Sequence, residues 1–462
     1  HQGRGASRPG AVISAATRGV RVPGLAFCPL PPDIPLVDPR TPVPIATLGP
    51  AKVPSGRARV VPDNVLVPSD LVWRDGLPPT SAHLFEKAGP RPLLFFGSEE
   101  VRAGIVTCGG LCPGLNSVIR SLVLELHYGY GVRNVLGFRN GYRGLLATGD
   151  EGPIPLDPAT VDDIHRDGGT MLGTSRGPVD VAAAVDRLIA LGVNVLFTVG
   201  GDGTQRGGNA LYEEARRRSR PLAVVGVPKT IDNDVPFVDR TFGFTTAVDS
   251  ARDVIDGAHT EAHSVFNGVS VVKLMGRHAG FIAAAAAVAS QDVNFCLIPE
   301  VPFRLEGPKG FLAALLRRVR ARRHAVVVVA EGAGQDLLGG ASGLADASGN
   351  ARLKDVGPFL CEQITAAFGA AGEELVLRYF DPSYLIRSRP ANTEDAVICD
   401  RFARHAVHAA MSGRTGLIIG VIYNQFVHVP VGLLATAHKR VPLDGELWSA
   451  VLAATGQPAR FE

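Results

Sequence analysis

Two short runs hold the residues best suited to chemistry. Gly200-Gly201-Asp202-Gly203-Thr204 closes an apolar strand pattern, Val193 to Val199, and opens a helix-like stretch. Its glycines let backbone N–H groups approach a phosphate, and Asp202 can hold a magnesium ion. Pro228-Lys229-Thr230-Ile231-Asp232-Asn233-Asp234 follows a second apolar pattern, Pro221 to Val227. It places two carboxylates and a lysine at one strand end. One aspartate can take a proton from an attacking hydroxyl while the other orients metal or backbone. Together the runs supply phosphate site, metal and base for phosphoryl transfer to a hydroxyl. Capping of the helical pattern near Thr245 would also use two aspartates, but it would not call for Lys229 and Thr230 beside them.

Further groups punctuate the chain in the same manner. Cys108-Gly109-Gly110-Leu111-Cys112-Pro113-Gly114 turns between a strand and a helix, a place where free N–H groups can bind an anion. Gly168 to Gly177 is a second glycine-rich loop and contains Arg176. Met275-Gly276-Arg277 and Glu331 stand at the ends of Val269 to Leu274 and Ala325 to Ala330. An arginine there suits a phosphate, and a glutamate suits sugar hydroxyls. Tyr384-Leu385-Ile386-Arg387 offers another arginine. Open α/β sheets bind ligands at the carboxyl ends of their strands.

These sites need a scaffold. From Val101 onward, strand patterns alternate with helical ones, as in βαβ units. The expectation is an α/β protein with two Rossmann-like three-layer α/β/α domains and an extended N-terminal arm. Gly416 to Val429 reads as a hairpin turning near Tyr423 and Asn424. Half of the 34 prolines precede residue 93, which marks the arm. Arg4, Arg8, Arg18 and Arg21 precede the first acidic residue, Asp33. That texture fits either an organelle transit peptide or a disordered extension.

Composition narrows the classes. The 462 residues are 46% hydrophobic and 20% charged, with a formal net charge of +3. No long basic run with interleaved aromatics points to nucleic acid. No apolar run reaches membrane-spanning length. Six scattered cysteines show no zinc spacing. Cys108 and Cys112 flank one turn, as a regulatory disulfide or as two packed thiols.

Pro228 to Asp234, Met275 to Arg277 and Tyr384 to Arg387, in this order, resemble the phosphofructokinase family, most nearly its plant-type ATP-dependent members. The likeness runs from about Phe85, through Lys87-Ala88-Gly89-Pro90-Arg91, to Gly456-Gln457-Pro458. It implies MgATP as donor and fructose 6-phosphate as acceptor. By the same resemblance Asp232 is the proton acceptor and Asp202 the magnesium ligand. Gly109, Arg176, Gly177, Gly201, Asp202, Gly203 and Thr204 contact nucleotide. Thr230, Ile231, Asp232, Met275, Gly276, Arg277, Glu331, Tyr384, Leu385, Ile386 and Arg387 contact the sugar phosphate. The implied division is 1–92 arm, 93–255 nucleotide-binding domain, 256–415 sugar-phosphate domain and 416–462 hairpin and tail. The family also implies a homo-oligomer, often a tetramer. Transit-like composition suggests a plastid, with the cytoplasm as alternative.

Gly203 leaves room for a nucleotide α-phosphate where pyrophosphate-dependent members carry aspartate. Lys229 is typical of pyrophosphate enzymes, and plant-type ATP enzymes combine the two as this chain does. Gly268 stands where bacterial members have an arginine that reaches a neighbouring subunit's site. A pyrophosphate-dependent enzyme and a non-catalytic regulatory subunit are the competing readings. Lipid and NAD kinases share the Gly200 to Thr204 loop but not the Thr230 and Met275 groups.

Overall fold

The strands that carry the site are apolar on both faces, so each must be covered on both sides. In Val195–Gly200, Val195, Phe197 and Val199 enter one core and Leu196 another. That is the signature of a central strand in a parallel sheet. The computed structural model describes residues 41–462 except 73, 74, 76–78, 80–82, 179, 340–352 and 437. The arginine-rich leader therefore lies outside the described residues.

The arm contributes short strands β1 (Ala46–Thr47), β2 (Val53–Pro54), β3 (Leu66–Pro68), β4 (Leu84–Glu86) and β5 (Leu93–Leu94). The chain continues through β6 (Arg102–Thr107), α1 (Leu115–Leu124), β7 (Asn134–Phe138), β8 (Ile154–Pro155), α2 (Val181–Ala190), β9 (Val195–Gly200), α3 (Asp202–Arg217) and β10 (Ala223–Pro228). Then come α4 (Phe244–His263), β11 (Gly268–Leu274), α5 (Phe281–Ser290), β12 (Phe295–Leu297), α6 (Phe311–Arg322), β13 (His324–Ala330), α7 (Val356–Ala370), β14 (Val376–Phe380) and α8 (Ser383–Arg387). The last elements are α9 (Thr393–Met411), β15 (Arg414–Thr415), β16 (Leu417–Ile422), β17 (Gln425–Pro430) and α10 (Glu446–Thr455).

Two sheets result. The first has order β17-β16-β10-β9-β6-β7-β8, parallel except at its two edges. The second, β12-β13-β11-β14, is wholly parallel. One continuous core takes side chains from α1, α9, α4 and α5. A second core holds α2 and α3 on the other face of the first sheet, and a third holds α6 and α7 on the second sheet. This is the expected α/β architecture.

The chain does not deal its sheets out in sequence order. α9 packs on α1, and β16 extends the first sheet beside β10. Residues 393–411 of the segment 256–415 therefore go with the first sheet, as does the hairpin. Tyr423 and Asn424 turn that hairpin with φ of 47° and 61°, the left-handed pair that matches strand twist. α3 begins at Asp202, so the Gly200 to Thr204 run is itself the helix start. Gly207 and Gly208 pack against Tyr142 and Thr198, where an added Cβ would come within 2.6 and 3.1 Å.

The described part of the arm is pinned to the first sheet by buried charge. Glu86 accepts from Arg91, from Arg414 and from His428. Burial alone would raise its carboxyl, but the His428 hydrogen bond, His428 itself and the two arginines hold it down to about 2.

Gly268 opens β11 at the end of the strand opposite the site. A Cβ there would lie 2.1 Å from Ala262 O and 2.7 Å from Val265 Cγ2. No side chain fits without moving backbone, so an arginine reaching out from this position is excluded by packing. Gly268→Ala should lower unfolding free energy by about 1–3 kcal/mol, as overpacking does. A denaturant midpoint equal to the parent's would show that the α4–β11 turn yields freely.

Candidate active site

Loops at the carboxyl ends of β6, β9, β10, β11 and β13 surround one cleft of about 780 Å³. Its donor-like side is built from glycine. Gly109 has φ of 88°, donates its N–H to Ser175 O at 3.1 Å, and accepts from Thr174 Oγ1 at 2.7 Å. These bonds lay the Gly168 to Gly177 loop along the first turn. Arg176 follows and lines the cleft with Gly177. A Cβ on Gly110 would lie 3.3 Å from the Arg176 guanidinium and 4.0 Å from that of Arg387.

Gly201 caps α3 in extended conformation and offers no side-chain hydrogen bond. The first N–H groups of the helix are therefore left for a ligand, at the positive end of its dipole. Gln205 fixes this end by donating to Gly200 O at 2.8 Å and Val227 O at 3.2 Å. Tyr142 donates to Thr204 O at 2.5 Å. Asp202 opens the helix into the cleft. Burial and the nearby Asp234 raise its pKa, while His438 and Arg206 oppose the rise.

The acceptor-like side centres on the turn after β10. Thr230 Oγ1 donates to Asp234 Oδ1 at 2.7 Å and accepts from Asp232 N–H at 3.1 Å. Asn233 sits at φ of 57°, and its Oδ1 accepts Thr241 N–H at 3.0 Å. Asp234 thus holds the turn and Asp232 faces the cleft. Asp232 Oδ1 is shut off from water and has no hydrogen-bond partner. Burial, then Asp234 and Glu331, raises its pKa to about 7 against the pull of Arg387. Lys229 is buried beside it, and that burial lowers its ammonium below the usual lysine range.

β11 and β13 stay paired past their ends. Glu331 N–H donates to Leu274 O at 2.9 Å and Gly332 N–H to Gly276 O at 3.0 Å. Only glycine fits at 332, since a Cβ would meet Arg277 O at 2.0 Å. The pairing brings Glu331 and Arg277 to one cleft wall. Tyr384 and Arg387 lie three apart on α8 and share the face toward the cleft. Arg387 Nε also donates to Met275 Sδ at 3.2 Å.

Of the residues expected at the site, Met275, Gly276, Leu385 and Ile386 fall outside the cleft lining. Met275 and Ile386 are buried beneath it, and Leu385 faces solvent. The helical turn of α8 is the reason: residues 385 and 386 cannot share a face with 384 and 387. The remaining expected residues line the cleft. Ser175 joins them from the Gly168 to Gly177 loop and His278 from beside Arg277, whereas Tyr142, Arg206 and His438 join them without a motif to announce them. Arg206 could have been found, since it lies four residues from Asp202 on one helix face. His438 could not: it arrives from the tail, 3.7 Å from Asp202, stacked on His278 at 4.9 Å.

Cys108 and Cys112 do not pair. Cys108 packs with Tyr142 in the core that holds α2 and α3, and Cys112 in the continuous core of α1, α4, α5 and α9, donating to Phe242 O at 3.3 Å. Both are free thiols, each pushed up to about 12 by burial. They face opposite sides of the sheet.

Comparison with known proteins agrees with this geometry. Residues 102–410 match the phosphofructokinase family. An ATP-dependent 6-phosphofructokinase of Amycolatopsis methanolica is 51% identical, covering 83% of this chain and 85% of that one. One from Borreliella burgdorferi is 48% identical over 81% and 85%. ATP-dependent 6-phosphofructokinase 7 of Arabidopsis thaliana is 47% identical over 86% and 80%. Among solved structures, a pyrophosphate-dependent phosphofructokinase from Marinobacter aquaeolei has the same fold. Its TM-score is 0.63 at 23% identity, covering 77% of this chain and 91% of that one. The chain belongs to the phosphofructokinase family.

Proposed function

We propose that the chain transfers the γ-phosphoryl group of MgATP to the 1-hydroxyl of fructose 6-phosphate. The reading is carried by the placement of Asp232 in the cleft wall, with the α3 N-terminus on one side and the arginines Arg277 and Arg387 on the other. A sugar hydroxyl in the cleft can donate to the carboxylate there. Relatives at about half identity carry the ATP-dependent activity in their names.

Each group then has a task. Gly109, Gly201, Thr204 and the α3 N-terminus hold the donor phosphates, and Gly203 leaves space for the α-phosphate. Arg277 and Arg387 clamp the sugar phosphate, while Glu331 accepts from a sugar hydroxyl. Asp232 takes the proton as the hydroxyl oxygen attacks. Lys229 and Arg176 offset charge that develops on the transferred group. Among the described residues no cluster of three or more His, Cys, Asp or Glu could hold a metal. Magnesium does not need one, since it takes one or two carboxylates and completes its shell with phosphate and water. Asp202 would hold it, and the ion would neutralise the donor phosphates. A homotetramer remains part of this proposal, to be tested by sedimentation. So does a plastid address, with the cytoplasm as alternative. Two Arabidopsis relatives are named chloroplastic.

The direct test is transfer to fructose 6-phosphate with ATP and with pyrophosphate as separate donors. ATP should serve, and use of pyrophosphate alone would reverse the donor assignment. Asp232→Ala should slow turnover by roughly 10²–10⁴-fold with little change in nucleotide binding. Because the Asp232 pKa is raised to about 7, the base is lost as pH falls through that value. The kcat/KM for the sugar should therefore drop about tenfold per pH unit below it and level off above. Glu331→Gln removes one of the charges behind the shift and should move the inflection to lower pH. An inflection that stays in place would break the link to Asp232.

Gly203 tests the donor. A Cβ there meets nothing closer than Arg206 at 4.0 Å, so aspartate fits without strain and projects toward the nucleotide. Gly203→Asp should lose ATP use and keep any pyrophosphate use. Retained ATP affinity would remove Gly203 from the nucleotide site.

A further inference from the structure

The segment after the hairpin reaches loops of both sheets. Lys439 donates its backbone N–H to Asp234 O at 3.0 Å. Its ammonium donates to Val238 O and to Asp239 O, both at 2.8 Å. The same ammonium lies 5.0 Å from the centre of the Phe281 ring, the first residue of α5, close behind Arg277. Two residues on, Val441 N–H donates to Glu300 Oε1 at 2.9 Å, and Glu300 Oε1 also accepts Gly280 N–H at 3.0 Å. A few residues of tail thus tie the base turn of the first sheet to the arginine loop of the second.

The turn it grips needs such a partner. Asn233 and Phe237 both hold left-handed conformations, φ 57° and 59°, which cost energy outside glycine. A turn of this kind persists only where its surroundings hold it, and a charged donor makes stronger bonds to carbonyls than a neutral one. Lys439 is half-buried among Asp239, Asp234 and the Phe281 face. It does not line the catalytic cleft. Beside it, Ser69, Asp70 and His83 help line a separate cavity of about 370 Å³.

We propose that Lys439 is a positioning residue for phosphoryl transfer: it holds the turn from Asp232 to Asp239 in register with the Arg277 loop, so that base and sugar hydroxyl meet. This rests on the kinase reading above. It differs from a purely structural role because the register, not the fold, is what it sets.

In the full-length chain, Lys439→Ala should lower kcat by about tenfold or more while KM for both substrates changes less than about threefold, the pattern of a lost alignment. Ethylammonium, small enough for the neighbouring cavity, should restore part of kcat in that variant. Lys439→Met fills the space without a donor, so it should show the same loss and no restoration; it also serves if the alanine variant does not fold. Amide exchange measured without substrates should quicken across 232–239 in both variants and leave β11 protected. That arm does not depend on the reaction. A parent that transfers no phosphoryl group therefore overturns the kinase reading, whereas unchanged exchange at 232–239 overturns the role of Lys439. A kcat equal to the parent's, or a loss that ethylammonium does not restore in Lys439→Ala, overturns it as well.

Discussion

The proposed chemistry depends on the balance of burial and charge around one carboxylate. As the proposed base, Asp232 must favour a proton and still be ionised when a hydroxyl arrives. Burial, Asp234 and Glu331 all push its pKa upward, and Arg387 restrains it. Were the turn open to water, Asp232 would be an ordinary acid with little affinity for a hydroxyl proton. Were it buried alone, it would stay protonated at neutral pH. Asp234 is kept from competing by its bond to Thr230. The two aspartates of one short run therefore do different things, and Thr230 is what separates them.

That balance requires several strand ends to meet at fixed distances. Parallel strands deliver it, because all their carboxyl ends point the same way. The first sheet brings the phosphate side through β6, β9 and β10, and the second brings Arg277 and Glu331 through β11 and β13. Gln205 links the ends of β9 and β10 from within α3, so the helix N-terminus and the base turn are held by one side chain. A shift of α3 would move both the proposed phosphate site and Asp232.

Much of this was legible in the sequence. Glycine and aspartate at strand ends are local signals, and a strand buried on both faces announces itself by an unbroken apolar run. Val195–Gly200 and Ala223–Pro228 could be placed within two or three residues for that reason. What was not legible depends on distance along the chain. α9 joins α1 and β16 joins β10 across roughly 190 to 290 residues of sequence, and no local pattern records such pairings. His438 and Lys439 have no motif around them. Tyr384 and Arg387 reach the cleft while Leu385 and Ile386 do not, because four adjacent residues on a helix cannot share one face.

The return of the chain to its first sheet has a consequence for the cleft. β16 and β17 close one edge, and the residues that follow pass Asp202, Asp234 and Glu300 in turn before α10 packs against α5. The two sheets are thus joined near the reacting atoms by covalent chain as well as by packing. Contacts between layers alone would let the halves slide, since apolar packing is not directional. Hydrogen bonds from one short segment to both loops are directional. They tie the turn that carries Asp232 to the loop that carries Arg277, the two residues that the proposed sugar phosphate would span.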